Sequence, residues 1–310
     1  MKQVTNTVLM VRPASFRMNE ETAVNNYFQK STEHGEDLVM LQAQKEFDAF
    51  VDLLKSNGVN VVVVNDVKED DTPDALFPNN WVSFHEDGTV VLYPMFAVNR
   101  RRERRMSTID TLKEKGYKAE AIVDFSTYEK DNLFLEGTGG LILDRVNKKA
   151  YCAISPRADE GLLKDFCGKL GFEPVAFVAN QSVKGERLAI YHTNVMMCVG
   201  EGFAVICLAC IDDEAERKMV EQHLVNDGKE IIEISEEQVH QFAGNMLEVK
   251  NQEGQHFLVM SATAHKSLND DQIEQINKYC KIISPDLDVI ETHGGGSARC
   301  MLAEVFLPNA

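Results

Sequence analysis

A thiol, an imidazole and a carboxylate are the parts of a covalent mechanism, and this chain offers one of each in a regular series. Cys300 ends the run His293-Gly294-Gly295-Gly296-Ser297-Ala298-Arg299-Cys300, His192 lies in Tyr191-His192-Thr193-Asn194, and Glu136 lies in Leu135-Glu136-Gly137. A free thiol ionises near pH ~8.5 and needs a cation or a base nearby to become a nucleophile. Histidine exchanges protons near neutral pH. A carboxylate can orient that histidine or hold a substrate N–H. Each residue alone also has an ordinary reading, since free cysteines are among the most buried residues and a histidine after an apolar strand is commonly packed. Their spacing argues otherwise. Asn80, Glu136, His192, Asn245 and Cys300 recur at intervals of 53 to 56 residues, within the range of structural repeats.

The elements that must position these residues repeat with them. Each unit reads as a helix, a short strand, a polar motif and a two-stranded hairpin. The first unit has a helix over 41–56, a strand over 59–64, Phe77-Pro78-Asn79-Asn80 and a hairpin turning at Asp87-Gly88. The second has a helix over 104–115, a strand over 120–125, the Glu136 motif and a hairpin over 144–149. The third has a helix over 160–170, a strand over 175–179, the His192 motif and a hairpin at 200–202. The fourth has a helix over 213–225, a strand over 230–234, Gly244-Asn245-Met246 and a hairpin over 251–254. The fifth has a helix over 270–280, a strand over 289–291, the Cys300 motif and a last strand over 301–307. That unit lacks its second hairpin strand. The unassigned N-terminal strand over 4–11 can supply it and close a ring, which removes exposed sheet edges. The expectation is an α/β chain of five ββαβ-like units, one motif per unit facing a common axis, as a single domain over residues 1–310.

Composition narrows the class. The 310 residues are 44% hydrophobic, enough for a large core, with a formal net charge of −17. That balance argues against a nucleic-acid surface, which needs a basic face, and leaves a small cationic substrate open. The N-terminus reads as carrying no signal peptide, and no apolar run is long enough for a membrane span. Seven cysteines without disulfide-scaffold spacing point to a reducing, cytoplasmic compartment. The three glycines before Cys300 permit a tight backbone approach and match no nucleotide-binding loop. Cys207 and Cys210 form a CxxC with no second ligand pair, in an apolar hairpin strand. His34, His85, His223, His240, His256 and His265 show no ligand spacing. No metal and no cofactor are expected. Trp81 reads as core, or as a wall of the pocket.

Together, the PNNW, LEG, YHTN and GGGSARC segments resemble the guanidino-modifying, or pentein, superfamily: arginine deiminases, dimethylargininases and amidinotransferases. The likeness runs from Arg12-Pro13 to Pro308 and is nearest to the proteins named for citrulline utilisation. It implies a five-bladed α/β propeller, with Cys300 as nucleophile, His192 as general acid and base, and Glu136 as the catalytic carboxylate. It implies that Arg157, in Ser155-Pro156-Arg157, clamps a substrate carboxylate, with Arg100 and Arg101 of Arg100-Arg101-Arg102-Glu103 contributing. An arginine fork suits that task, although any of these arginines could also be a solvated charge. Asn25 and Asn26 are candidate substrate contacts, or helix caps. The chain departs from deiminases at Asn80 and Asn194, which stand where those enzymes hold the guanidinium with aspartates. An asparagine offers a donor and an acceptor but no charge, which suits a neutral ureido group.

The resulting expectation is a hydrolase of the guanidino or ureido group of arginine, citrulline or methylarginine, working through a covalent cysteine adduct. An amidinotransferase, or a binding or assembly factor on the same fold, remains as an alternative. The partner is a small-molecule amino acid, with no nucleic acid or membrane, and a homo-oligomer is left open.

Overall fold

A computed structural model describes residues 1–30 and 35–309; His34 lies outside them. The long helix Glu36–Ser56 buries Val39, Ala43, Phe47, Phe50, Val51 and Leu54 along one stripe, the signature of a helix packed on a core. It starts at Glu36, five residues before the sequence pattern placed it. Helix Glu160–Leu170 spans the residues expected. Asp159 caps its start by accepting from Leu162 N, and Gly171 ends it at φ +71°, a left-handed position that favours glycine.

Five three-stranded mixed sheets follow one plan. A hairpin pairs antiparallel, and the strand after the next helix adds in parallel to its second strand. Val82–Phe84 pairs with Thr89–Leu92, which takes Ala121–Asp124 in parallel. Ile142–Asp144, Lys149–Ala153 and Glu173–Phe177 repeat the plan. So do Met197–Val199, Phe203–Ile206 and Glu230–Glu233, and Leu247–Lys250, His256–Val259 and Lys281–Ile283. In the remaining sheet Thr7–Arg12 pairs antiparallel with Ala303–Glu304 and parallel with Asn60–Asn65, with Leu9 opposite both Ala303 and Val62. The N-terminal strand therefore takes the vacant hairpin position, joining the two ends of the described chain.

Three segments depart from the sequence expectation. The strand expected over 289–291 is part of a helix, Asp288–Gly294, and the fifth unit's strand is Lys281–Ile283. The cause is remote in sequence. Glu46, on the long N-terminal helix, accepts the N–H groups of Val289 and Ile290 at 2.9 and 3.0 Å, satisfying donors that a helix start leaves open. The expected last strand shrinks to Ala303–Glu304, because Ala298–Met301 forms a 3-10 turn instead. A hairpin not read from the sequence, Asn180–Val183 with Glu186–Ala189, turns at Lys184 and Gly185. Both turn residues have positive φ, +51° and +87°, as a tight two-residue hairpin loop needs.

Candidate active site

The polar motifs occupy short turns just ahead of the hairpins: Pro78–Asn80, Gly137–Gly140, Thr193–Val195 and Ala298–Met301. Close approach of these turns requires a missing side chain. A Cβ at Gly139 would collide with Nδ2 of Asn80 and stand 2.9 Å from Nδ1 of His192. A Cβ at Gly244 would likewise collide with the carbonyl of Val195.

At this junction lies a narrow cleft lined by Asn26, Asp74, Phe77, Asn80, Arg100, Arg157, Tyr191, His192, Gly294, Gly296 and Cys300. Two larger hollows lie elsewhere, one beside Tyr27 and Phe242 and one beside Lys2 and Phe306. Neither is lined by a cysteine or by a residue of the five recurring motifs. Cys300 is 4% exposed. Its Sγ accepts Nδ2–H of Asn194 at 3.4 Å and Nδ2–H of Asn245 at 3.2 Å. Ser297, which accepts Cys300 N–H on its carbonyl, is held in turn by Glu291.

His192 is buried, and its Nε2 lies 2.7 Å from Oε2 of Glu136. Glu136 is fully buried and accepts Phe96 N–H on its other oxygen at 2.8 Å. Burial alone would push its carboxyl up. The charge of Arg157, the bond to His192 and the more distant Arg100 outweigh that and bring it down to about 2. Burial takes His192 the other way from its partner's pull, down to about 4, with Arg157 and Arg100 adding to the effect against Glu136. The two shifts agree on one state near neutral pH: a carboxylate beside a neutral imidazole.

Arg157 is positioned by the Ser155 turn, where its N–H donates to Ser155 Oγ at 3.1 Å and that hydroxyl donates to Tyr191 O at 2.8 Å. Its guanidinium stands 3.6 Å from Glu136 and packs over the Tyr191 ring at 4.8 Å. It donates to the carbonyl of Thr22 and to Oδ1 of Asn25. Asn25 therefore touches Arg157 and is not among the cleft lining; the neighbour that lines the cleft is Asn26, donating to Gly294 O at 3.2 Å. Arg100 is buried in the cleft, bonded bidentately to Glu103 at 2.9 Å and to Asn80 Oδ1 at 2.9 Å. Arg101 goes elsewhere. It donates to Met95 O at 3.1 Å, pairs with Glu129 at 3.4 Å and does not line the cleft.

Sequence reasoning missed two residues here. Asp74 is buried, 3.7 Å from Arg100, with Oδ1 unpartnered; burial raises its carboxyl despite Arg100. It lies outside the repeat phase, so no spacing flagged it. Asn245 was in phase, but its type alone gave it no chemistry. Away from the cleft, His256 is brought beside Glu201 and Glu248, with three ligand-type atoms within 4.8 Å of one another, a grouping its sequence spacing does not reveal. Cys207 and Cys210 are buried and unpaired.

A family model described as N,N dimethylarginine dimethylhydrolase, eukaryotic, matches residues 12–307. The chain belongs to this family. The dimethylarginine dimethylhydrolase match agrees with the superfamily likeness carried by the four motifs. No curated protein sequence matches the chain. Among solved structures, the chain is similar to unliganded ArgZ, an arginine dihydrolase from the ornithine-ammonia cycle in cyanobacteria. The TM-score is 0.74 at 17% identity, over 98% of this chain and 41% of that one. This chain thus spans about two-fifths of that ArgZ chain. An N-terminal domain of ArgZ, an asparagine-to-serine variant covalently bound to a reaction intermediate, matches with a TM-score of 0.71 at 17% identity, over 97% of this chain and 99% of that one. A histidine-to-glycine dimethylarginine dimethylaminohydrolase in adduct with S-methyl-L-thiocitrulline matches with a TM-score of 0.61 at 14% identity, over 96% of this chain and 98% of that one. At these identities the likeness is one of fold: mixed α/β.

Proposed function

We propose that this chain is a cysteine-dependent hydrolase of the guanidino or ureido group of an arginine-like amino acid, with no metal or cofactor in the reaction. The reading rests on one observation: Cys300 and His192 line the same buried cleft, and the imidazole is bonded to Glu136 at 2.7 Å. Cys300 gives its thiol proton to the unprotonated nitrogen of His192 as Sγ attacks the terminal carbon of the substrate. His192 passes that proton to the departing amine nitrogen as its bond to that carbon breaks. Water, giving a proton to His192, then attacks the same carbon and displaces the sulfur, which takes that proton back from His192. Arg157 meets the α-carboxylate and supplies orientation, while Arg100, bonded to Glu103 and Asn80, holds Asn80 in place.

Two unpartnered amide atoms support a ureido group at the reacting end. Arg100 has only donors to offer, so Oδ1 of Asn80 faces it and Nδ2 is left as a buried donor without a partner. Asn194 donates its Nδ2–H to Cys300 and leaves Oδ1 as a buried unpartnered acceptor. A ureido group supplies both a carbonyl oxygen and N–H groups. A guanidinium supplies only N–H and leaves Asn80 unpaired, at a cost of roughly 1–3 kcal/mol. Citrulline therefore ranks with or above arginine as substrate.

The five mixed sheets support a closed five-bladed propeller, with residues 1–310 as one catalytic domain. Seven free cysteines support a reducing, cytoplasmic setting. The test is mass analysis of products from arginine, citrulline and methylated arginines, with and without glycine or lysine as acceptor. Release without acceptor of ammonia, or of the methylated amine from a methylated arginine, together with an ornithine-type or citrulline-type product sustains the proposal. Product formed only with an acceptor makes the chain an amidinotransferase, and none under any condition leaves a binding protein.

A further inference from the structure

We propose that Asn245 is a catalytic residue: its side-chain amide donates to the Cys300 sulfur and stabilises the negative charge there before and after attack. This rests on reading Cys300 as the nucleophile. Nδ2 of Asn245 lies 3.2 Å from Sγ and 3.2 Å from Asn194 O, while Oδ1 accepts Arg299 N–H at 3.0 Å. The backbone fixes the orientation of this amide. Arg299 N–H can only donate and Asn194 O can only accept. A flipped amide would set N–H against N–H and oxygen against oxygen, so the donor must face the sulfur. Asn245 is 3% exposed, so the bond lies away from bulk solvent. The residue is well anchored, because Gly244 before it packs against the Val195 and Met196 backbone with no room for a Cβ.

The second donor, Asn194 at 3.4 Å, keeps a buried unpartnered oxygen, Oδ1. Asn245 has no such atom to spare and does not line the cleft. It acts on the nucleophile alone. Donors fixed on a sulfur in a buried site favour its charged form without reorganising. The charged and titratable groups around Cys300 are His192, Asp74, Arg100, Arg157 and Tyr191 across the cleft. Beneath it are the Arg299–Glu304 pair, Glu291 through Ser297, and His293 on the preceding helix. All of these stay in place when Asn245 alone is changed.

The test is the rate of Cys300 alkylation by iodoacetamide from pH 5 to 10, followed on the Cys300 peptide by mass spectrometry in the full chain. Asn245→Leu and Asn245→Ala both remove the donor to Sγ without placing a new charge beside it. The expected result is a reactivity midpoint about one pH unit higher in both, or roughly tenfold slower labelling at pH 7, with kcat reduced and KM little changed. If Asn245 only holds the Arg299 backbone, the folded variants keep the wild-type midpoint, and the proposal is overturned. Leucine fills a volume close to that of asparagine, so Asn245→Leu carries the test if Asn245→Ala fails to fold. Alkylation needs no substrate. An absent turnover in wild type would refute the proposed reaction, whereas an unshifted midpoint would refute the role of Asn245.

Discussion

The 2.7 Å contact between His192 Nε2 and Glu136 Oε2 fixes which imidazole nitrogen carries the proton. Glu136, brought down to about 2, is an acceptor only, so Nε2 must be the N–H. Nδ1 is then the unprotonated nitrogen, on the side of Gly139 and Asn80, free to take a proton and return it.

Glu136→Gln retains the shape but can present its NH2 to Nε2, which favours the opposite tautomer. We expect kcat to fall by roughly 10²-fold or more, with KM changed much less, because the lost interaction serves proton transfer. Steady-state kinetics check this. An unchanged kcat would show that Glu136 does not act through His192.

Arg157→Ala should raise KM for α-amino acid substrates by roughly tenfold or more, the loss of a charge-assisted clamp. A decarboxylated analogue such as agmatine should lose little further, since its partner for Arg157 is already missing. Equal losses for both substrates would make Arg157 a support for Glu136 and Asn25 only.

Asn80→Asp should shift preference from citrulline toward arginine. A carboxylate accepts N–H bonds from a guanidinium and repels a ureido oxygen. Starting from arginine, the variant should accumulate more citrulline relative to ornithine. A time course of both products decides it, and identical ratios in the two proteins would remove Asn80 from substrate discrimination.

His85 provides a pH test of stability. Burial first, and then the charge of Arg145, lower it to about 3, while Nε2 bonds Ser83 Oγ at 2.9 Å. The unfolded chain takes up this proton near pH ~6.5 and the folded chain only near 3, so acidification between those values destabilises the fold. The contribution is roughly 3 kcal/mol between pH ~6.5 and ~4. Glu46 and Glu103, raised to about 7 chiefly by burial, act in the opposite direction between ~7 and ~4.5, so the comparison must be made against a variant. His85→Gln should lose less stability than wild type over this range by about that amount in denaturant titrations. Parallel losses would contradict a buried neutral histidine.

The sequence made the repeat legible because a 53–56 residue phase survives in residue type, and the turn of each unit lies just ahead of a hairpin. That phase led to Asn80, Glu136, His192 and Cys300; Asn80, His192 and Cys300 line one cleft, and Glu136 bonds His192 behind it. It also led to the N-terminal strand, whose place beside Ala303–Glu304 was vacant by count. What local pattern could not show depends on distant partners. The helix Asp288–Gly294 reads as a strand until Glu46 is seen accepting from Val289 and Ile290. Asp74 looks like one more surface acid until Asn19, Thr22 and Arg100 enclose it. Arg101 and Arg100 are indistinguishable in sequence, and the turn of Asn99–Glu103 sends them to opposite partners. The hairpin of Asn180–Ala189 is the exception, since Lys184-Gly185 between alternating residues was a readable turn.

Covalent catalysis requires Cys300 to form a bond to the guanidino or ureido carbon. Mass spectrometry of the Cys300 peptide, from enzyme acid-quenched during turnover of arginine or citrulline carrying carbon-13 at that carbon, detects that bond. A labelled adduct is expected on Cys300 alone, rising and decaying with product, with neither adduct nor product from Cys300→Ser. Label on another residue, or wild-type turnover by Cys300→Ser, would contradict it.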